Sequence, residues 1–303
     1  MNILILAHDR LENFQKLLKS CLAIDNANIW ISVDKGKSKE NNQIIKFVEE
    51  LKSKNNISFQ VSNTNLGLRD GVYFGIDWFF SNVDRGIILE EDLLINNDSL
   101  VKLSLLPKIE QFDVINLSCF DSYNSKNSFD ISRILDFYMW GWISSSKIWN
   151  EFKKIRDKDV FKYYPHKVFI KIGFLAYFQW LFTAVLLKRG DIDSWGYRFL
   201  FFLLDSKKNV CRVSPGIAIN NGLRKGANFS SLTIMKKALI NASDKNLLKH
   251  NINQEKEINF HEIKFDDYIS AHKIRHNINI YQMLKALFWI IFPFRNLIKK
   301  YLK

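Results

Sequence analysis

The 303-residue sequence predicts an α/β fold: a mostly parallel central sheet with helices on both faces. Three observations carry that reading. Short apolar runs alternate with amphipathic helical stretches from the first residue onward. The first run, "NILILA", is continuously apolar, as strands covered on both faces are. The early strands also end on polar groups: His8 and Asp9, then Asp34, then Glu90, Glu91 and Asp92. These ends form the rim where such sheets bind ligands.

The elements follow in order. "NILILA" is a strand. In "DRLENFQKLLKSCL", Leu11, Phe14, Leu17, Leu18 and Cys21 recur at helical spacing, with Asp9 as cap and Glu12 in capping-box position. "ANIWISVD" is a strand ending at Asp34. "NNQIIKFVEELKS" places Ile44, Val48 and Leu51 on one helical face, and "ISFQVSN" alternates as a strand does. "DGVYFGIDWFF" reads as a helix whose Gly71 and Gly75 allow close approach. "GIILEED" is the next strand. "NDSLVKLSLLPKI" is a helix capped near Asp98, "FDVINLSCF" a strand, and "SYNSKNSFDISR" a polar loop. "FYMWGWISSSKIW" is dense in aromatics. Trp140 and Trp142 there are either core or a flat platform for a sugar or base.

"IGFLAYFQWLFTAVLL", residues 172–187, is 16 residues long and interrupted by Gln179. A spanning helix needs about 20 apolar residues, so a buried or interface-facing helix is expected. "RGDIDSWGYRFLFFLL" then sets Asp191 and Asp193 before another helix. The tail changes character: from residue 271 onward there are seven Lys or Arg and no Asp or Glu. With "LFWIIFPF" in its midst, residues 280–303 read as an interfacial anchor for an anionic membrane surface. The alternative is an amphipathic helix docked on the protein's own body.

Composition limits the function classes. At 47% hydrophobic and 25% charged residues the chain is a folded one. Its formal net charge of +13 suits an anionic membrane, an anionic substrate or nucleic acid. Without fingers, arginine-rich arms or an RNA-binding sheet signature, nucleic acid is the reading set aside. Neither GxGxxG nor a P-loop is present. Cys21, Cys119 and Cys211 are widely spaced and lie in or next to apolar segments, as reduced core thiols in a cytosolic compartment do. The opening apolar run is too short for a secretory signal.

The acidic triplet in "RGIILEEDLLI" poses the chemical question. Three adjacent carboxylates between apolar segments either face solvent in a turn or are balanced by a bound cation. The stretches "LILAHDR", "ISVDKG", "NLGLRDGV", "GIILEEDLLI", "MWGWISSSKIW", "DIDSWGYRF" and "INNGLRKGANFS" together resemble the GT-A (nucleotide-diphospho-sugar transferase) glycosyltransferases. The similarity is to the alpha-mannoside beta-1,2-N-acetylglucosaminyltransferase family and its bacterial relatives. It spans residues 3–230.

The resemblance covers a catalytic domain at 1–235; the C-terminal extension at 236–303 lies outside it. With the cysteines and the basic tail, the expectation is a cytoplasmic enzyme, peripheral on the inner face of the membrane, in surface polysaccharide synthesis. Such an enzyme moves sugar from a nucleotide-sugar, taken as a UDP-sugar, to a hydroxyl of a glycan or lipid-linked glycan with inversion. Asp92 would hold Mn²⁺ or Mg²⁺, and Glu90 and Glu91 would shape that site. Arg10 and Asp34 match nucleotide-side positions, and Arg69 is either a phosphate contact or a surface arginine. Trp140 and Trp142 match an aromatic segment beside donor or acceptor. Asn221 and the "GLRKGANF" loop would close over the donor. The family's base is an aspartate directly before a tryptophan; here Ser194 precedes Trp195 and Asp193 lies one earlier. Asp193 is the expected base, with Asp191 second and helix capping by Asp193 or Ser194 the structural alternative. Two other functions remain: a noncatalytic scaffold of a polysaccharide assembly, and a sugar nucleotidyltransferase, though the latter's glycine-rich basic loop is missing.

Overall fold

In the computed structural model, the described residues are 1–52, 56–105, 109–118, 129–214, 216–221 and 258–261. They fall into two compact units. The first comprises Met1–Lys154 and the described residues from Lys208 onward; the second is 155–207. The domain boundary expected at 235, the "GLRKGANF" loop, Cys119 and the anchor at 280–303 lie outside the described residues.

The first unit is an α/β layer structure. Its N-terminal half is β1 (Asn2–Ala7), α1 (Leu11–Leu22), β2 (Asn28–Val33), α2 (Lys39–Lys52), β3 (Ile57–Val61), α3 (Gly67–Phe80) and β4 (Arg85–Glu90). β5 (Leu93–Ile95), α4 (Asn97–Ser104), β6 (Val114–Asn116), β7 (Phe129–Arg133), β8 (Trp142–Ser145) and α5 (Ser146–Lys153) follow, and after the second unit come β9 (Val210–Ser214), β10 (Ala218–Asn220) and β11 (Ile258–His261). Nine strands form one sheet in the order β11-β7-β9-β6-β8-β4-β1-β2-β3, and β10 pairs with β5. The run β3-β2-β1-β4 is wholly parallel. β8 joins antiparallel to both β4 and β6, and β7 antiparallel to β9. The sheet is therefore mixed and mostly parallel.

Helices cover both faces of this sheet. Ile3, Ile5 and Ala7 of β1 point toward Phe14, Leu17 and Leu18 of α1 and Ile44 and Val48 of α2, all buried in one core. The alternate residues meet α3 on the other face. A Cβ on Gly75 would come within 2.4 Å of Leu6 Cδ2 and 3.0 Å of Ser32 Cβ, so a larger residue would have to displace the Leu6 side chain for α3 to lie this close. The Trp30 ring packs edge-on against Trp78, 4.9 Å between centroids. Next to it, Tyr73 of α3 meets Trp149 of α5.

Three local expectations are corrected. α1 begins at Leu11 with Arg10 as its cap residue and no side-chain cap bond, so Asp9 is not the cap. The amides of His8 and Asp9 are instead taken by Glu91, and Glu12 pairs with Lys16 at 2.6 Å. The cap of α4 is Asn96, whose side chain accepts from Ser99 N, rather than Asp98. The segment read as a polar loop contains strand β7: Ile131 alternates with polar neighbours and is buried against the sheet. Cys21 and Cys211 are buried free thiols, as expected, and burial pushes Cys21 up to about 12.

The second unit contains a 3-10 turn (Val160–Tyr163), α6 (His166–Ile172), α7 (Phe174–Arg189) and α8 (Trp195–Asp205). Among the described residues, no helix is long and apolar enough to cross a membrane.

Candidate functional site

The strand order places the site. β1 leads to β2 and β3 on one side, and β4 then returns to the other side of β1. The carboxyl ends of β1 and β4 thus flank the point where the winding reverses, the position at which open α/β sheets hold ligands. A cavity of about 420 Å³ opens there, lined by Ala7 to Arg10 at the end of β1, Asp34 after β2, Asn65, Gly67 and Leu68 at the start of α3, and Glu90, Glu91 and Asp92. Arg10, Asp34, Glu90, Glu91 and Asp92, predicted separately from sequence, converge on it.

The three consecutive acids have different surroundings. Glu90 is the last residue of β4 and half-buried. Burial first, then the Asp92 charge, push its carboxyl up to about 8, against the pull of Arg10. Glu91 is buried and turned toward the backbone: it accepts from His8 N at 2.7 Å and from Asp9 N at 3.4 Å. Burial raises its proton affinity, and those amides oppose the rise. Glu91 therefore ties the end of β1 to the turn after β4. Asp92 is also buried, and its Oδ2 is ion-paired with the Arg10 guanidinium. Its Oδ1 is buried without a well-formed hydrogen bond. Burial raises the Asp92 carboxyl, while Arg10 and the Asn220 amide favour its charge.

Asp34 braces the start of α3. Its Oδ1 accepts from Leu66 N at 2.8 Å and Ser62 Oγ at 3.0 Å, and its Oδ2 from Gly67 N at 3.1 Å. Asn221 donates its backbone N–H to Asp92 O at 2.8 Å and its side-chain amide to Asn13 Oδ1 at 3.2 Å. The pairing of β10 with β5 brings it there.

Other predicted residues lie elsewhere. Arg69 is on the surface of α3, bonded to Asp70 at 2.9 Å, and does not line the cavity. Trp142 is fully buried in β8, its ring against Phe137 and Trp149, which is the core alternative. Trp140 packs against the main core. Asp191 and Asp193 belong to the second unit. Asp191 pairs with Arg189 at 3.1 Å, and Ser194 caps α8 by accepting from Tyr197 N.

Two residues of the site escaped the sequence reading. Asn41 is fully buried and donates to Asp34 O at 2.8 Å and to His8 O, joining the ends of β1 and β2. Its signal was available: it shares the buried face of α2 with Ile44 and Val48, where an amide needs a reason. Asn220 had no such signal, because the short strand β10 was not foreseen.

Among the described residues, no group of three or more His, Cys, Asp or Glu side chains is arranged to hold a metal ion. The donor chemistry nevertheless fits a hard cation bound through one protein carboxylate and completed by ligand oxygens, as Mg²⁺ commonly is. Asp92 Oδ1, buried without a well-formed hydrogen bond, is the oxygen that could serve such a cation.

No protein-family model matches the chain, and no curated protein matches it. Solved structures similar to it include S. aureus TarS 1–349, with TM-score 0.47 and 12% identity over 72% of this chain and 59% of that one. The glycosyltransferase GlyE of Streptococcus pneumoniae TIGR4 gives TM-score 0.42 and 14% identity over 95% of this chain and 62% of that one. The mannosyltransferase PcManGT of Pyrobaculum calidifontis, in complex with GDP-Man and Mn²⁺, gives 0.38 and 9% over 50% and 46%. The chain spans less than two thirds of each of these three.

Proposed function

We propose that the chain is a glycosyltransferase that binds a nucleotide-sugar across the ends of β1 and β4 and transfers the sugar to a hydroxyl of a glycan or lipid-linked glycan. The observation that carries this reading is Asp92, a buried carboxylate at the sheet's winding reversal with no well-formed hydrogen bond on Oδ1 and Arg10 on Oδ2. An isolated buried carboxylate pair is costly unless a cation completes it. Arg10 does so in the free protein. With donor bound, Arg10 is placed to turn its guanidinium toward a diphosphate oxygen, freeing Asp92 for Mn²⁺ or Mg²⁺. When bound, the cation supplies Lewis-acid stabilisation of the departing diphosphate.

The remaining roles follow from position. Glu91 holds the strand ends in register, and Asp34 with Asn41 fixes the wall on which base or ribose rests. Glu90 lines the cavity beside Asp92, placed to meet the sugar or nucleotide. Asp193 is the proposed base, with Asp191 second, and inversion is the proposed outcome. Residues 1–235 are proposed as the catalytic domain, and 236–303 as an extension whose tail holds the enzyme to the inner membrane face.

The deciding experiment is calorimetry of UDP-, GDP-, CMP- and dTDP-sugars with Mn²⁺ and with EDTA. Tight binding of one donor, lost in EDTA and in Asp92→Asn, is the expected result. Equal binding in both media would remove the metal, and no binding by any donor would remove the reading.

A further inference from the structure

The second unit carries a surface that the proposed reaction does not use. Gly173, at φ 145°, breaks the chain between α6 and α7. α7 folds back along α6: the Phe169 and Trp180 rings stack 5.2 Å apart, and Tyr164 Oη donates to Tyr177 O at 3.0 Å. The turn leaves its largest apolar side chains facing outward. Ile170 is 61% exposed, Phe174 75% and Phe178 40%. The Phe174 and Phe178 rings touch, with centroids 4.6 Å apart, so they present one apolar knob.

α7 is mostly apolar, with Gln179, Thr183 and the terminal Lys188 and Arg189 as its main polar side chains. Of its described side chains only Ala184 and Leu187 are buried. A helix this apolar normally has a core or lipid beside it. At 16 residues it is about 24 Å long, short of the ~30 Å hydrocarbon layer.

The charge around the corner is one-sided. Between Asp159 and Asp191 there is no acidic residue, while Lys162, Lys167, Lys171, Lys188 and Arg189 fall within that stretch. Lys188 is engaged by Asp159 at 2.7 Å and Arg189 by Asp191 at 3.1 Å. Lys162, Lys167 and Lys171, on the α6 side, are exposed, as is His166. Asp159 lies beside Lys162 and Lys188, and Asp205 beside His166, so the cations are in excess rather than alone. Exposed aromatic and aliphatic groups beside such an excess suit one kind of partner. Rings enter the acyl boundary of a lipid layer, and ammonium groups meet anionic headgroups.

We propose that the α6–α7 corner is a peripheral seat for an anionic lipid surface, with Ile170, Phe174 and Phe178 entering it and Lys162, Lys167 and Lys171 facing the headgroups. The inference stands apart from the sugar-transfer reading, since no residue of the cavity takes part. It also differs from the anchor expected at 280–303, which is present and unaltered in every variant below.

The test uses the full chain and co-sedimentation with two kinds of vesicle, phosphatidylcholine alone and phosphatidylcholine mixed with phosphatidylglycerol. Wild type should bind the mixed vesicles and not the neutral ones. Phe174→Ser with Phe178→Ser should weaken that binding about tenfold or more, with circular dichroism and donor affinity in solution unchanged. Lys162→Glu with Lys167→Glu should reduce the preference for the anionic vesicles several-fold. Phe174→Ser alone serves if the double variant folds poorly, and should still weaken binding several-fold. Vesicle binding that survives loss of the phenylalanines would overturn the proposal and return the role to the tail. So would a wild type that ignores anionic vesicles. A dimer that the phenylalanine variant dissociates, without vesicle affinity, would assign the face to a second copy of the chain.

Discussion

Replacing Glu90 by Gln is expected to stabilise the cation-free protein above neutral pH. Burial, then the Asp92 charge, lift the Glu90 carboxyl from 4.5 to about 8. The folded chain holds this proton more tightly than the unfolded chain does. Stability from the group is therefore whole below pH 4.5 and is lost as pH rises to about 8. At about 1.4 kcal/mol per tenfold in proton affinity, the ceiling is ~5 kcal/mol. The side chain keeps some solvent contact and titrates together with Asp92, so ~2 kcal/mol is the expected size. Gln preserves the shape and cannot ionise. Thermal melts in EDTA read the difference. Near pH 5 the two proteins should melt within about 1 °C of each other; near pH 8 the variant should melt higher by roughly 4 to 8 °C. Mn²⁺ with donor should narrow the gap at the higher pH, because the added cation meets the charge that Gln lacks. An equal shift at both pH values would show that Glu90 acts through packing rather than ionisation. A lower melting point for the variant near pH 8 would reverse the argument outright.

Asp92→Asn should keep the fold and lose cation-dependent donor affinity, read by calorimetry across Mn²⁺ concentrations. Asp193→Asn should cost roughly 10²–10⁴-fold in transfer rate with donor affinity retained; full activity there and a loss in Asp191→Asn would move the base to Asp191. Trp149→Ala should destabilise the first unit by about 3–5 kcal/mol. That indole is 1% exposed and donates Nε1–H to Asp77 Oδ1 at 2.7 Å. Chemical denaturation followed by far-ultraviolet circular dichroism checks it, and a loss below 1 kcal/mol would contradict the packing.

The first ninety residues were legible because local pattern and tertiary role agree there. β1 and β2 are short, largely apolar runs, β3 alternates, and Phe14, Leu17, Leu18 and Cys21 mark the buried face of α1. The rim acids were legible for the same reason: each follows directly on a readable strand. What sequence could not supply was the division of labour among them. Glu91 looks identical to Glu90 in the chain, and only the return of β4 beside β1 turns it onto the backbone of His8 and Asp9. Beyond residue 96 the pattern weakens. β6 and β10 are three residues each, too short for a period to show, and β7 is a mostly polar segment identified only by its pairing with β9 and β11. Trp142 could be read as platform or core because composition carries no direction; its place in β8 provides one.

The chain leaves the first unit after Lys154 and re-enters at Lys208. Across that gap the Lys208 ammonium is ion-paired with Glu151, and Asn209 N donates to Asp113 Oδ2 at 2.7 Å. The sheet therefore meets residues 155–207 as a loop whose two ends are already pinned. Closing such a loop costs an entropy that grows only with the logarithm of its length. The register of β6, β8 and β9 is thus held by contacts made within the first unit at both ends of the interruption. The joint at Lys154 and Lys208 brings two distant points of the chain together before anything between them is counted, so the sheet is continuous in space where it is discontinuous in sequence.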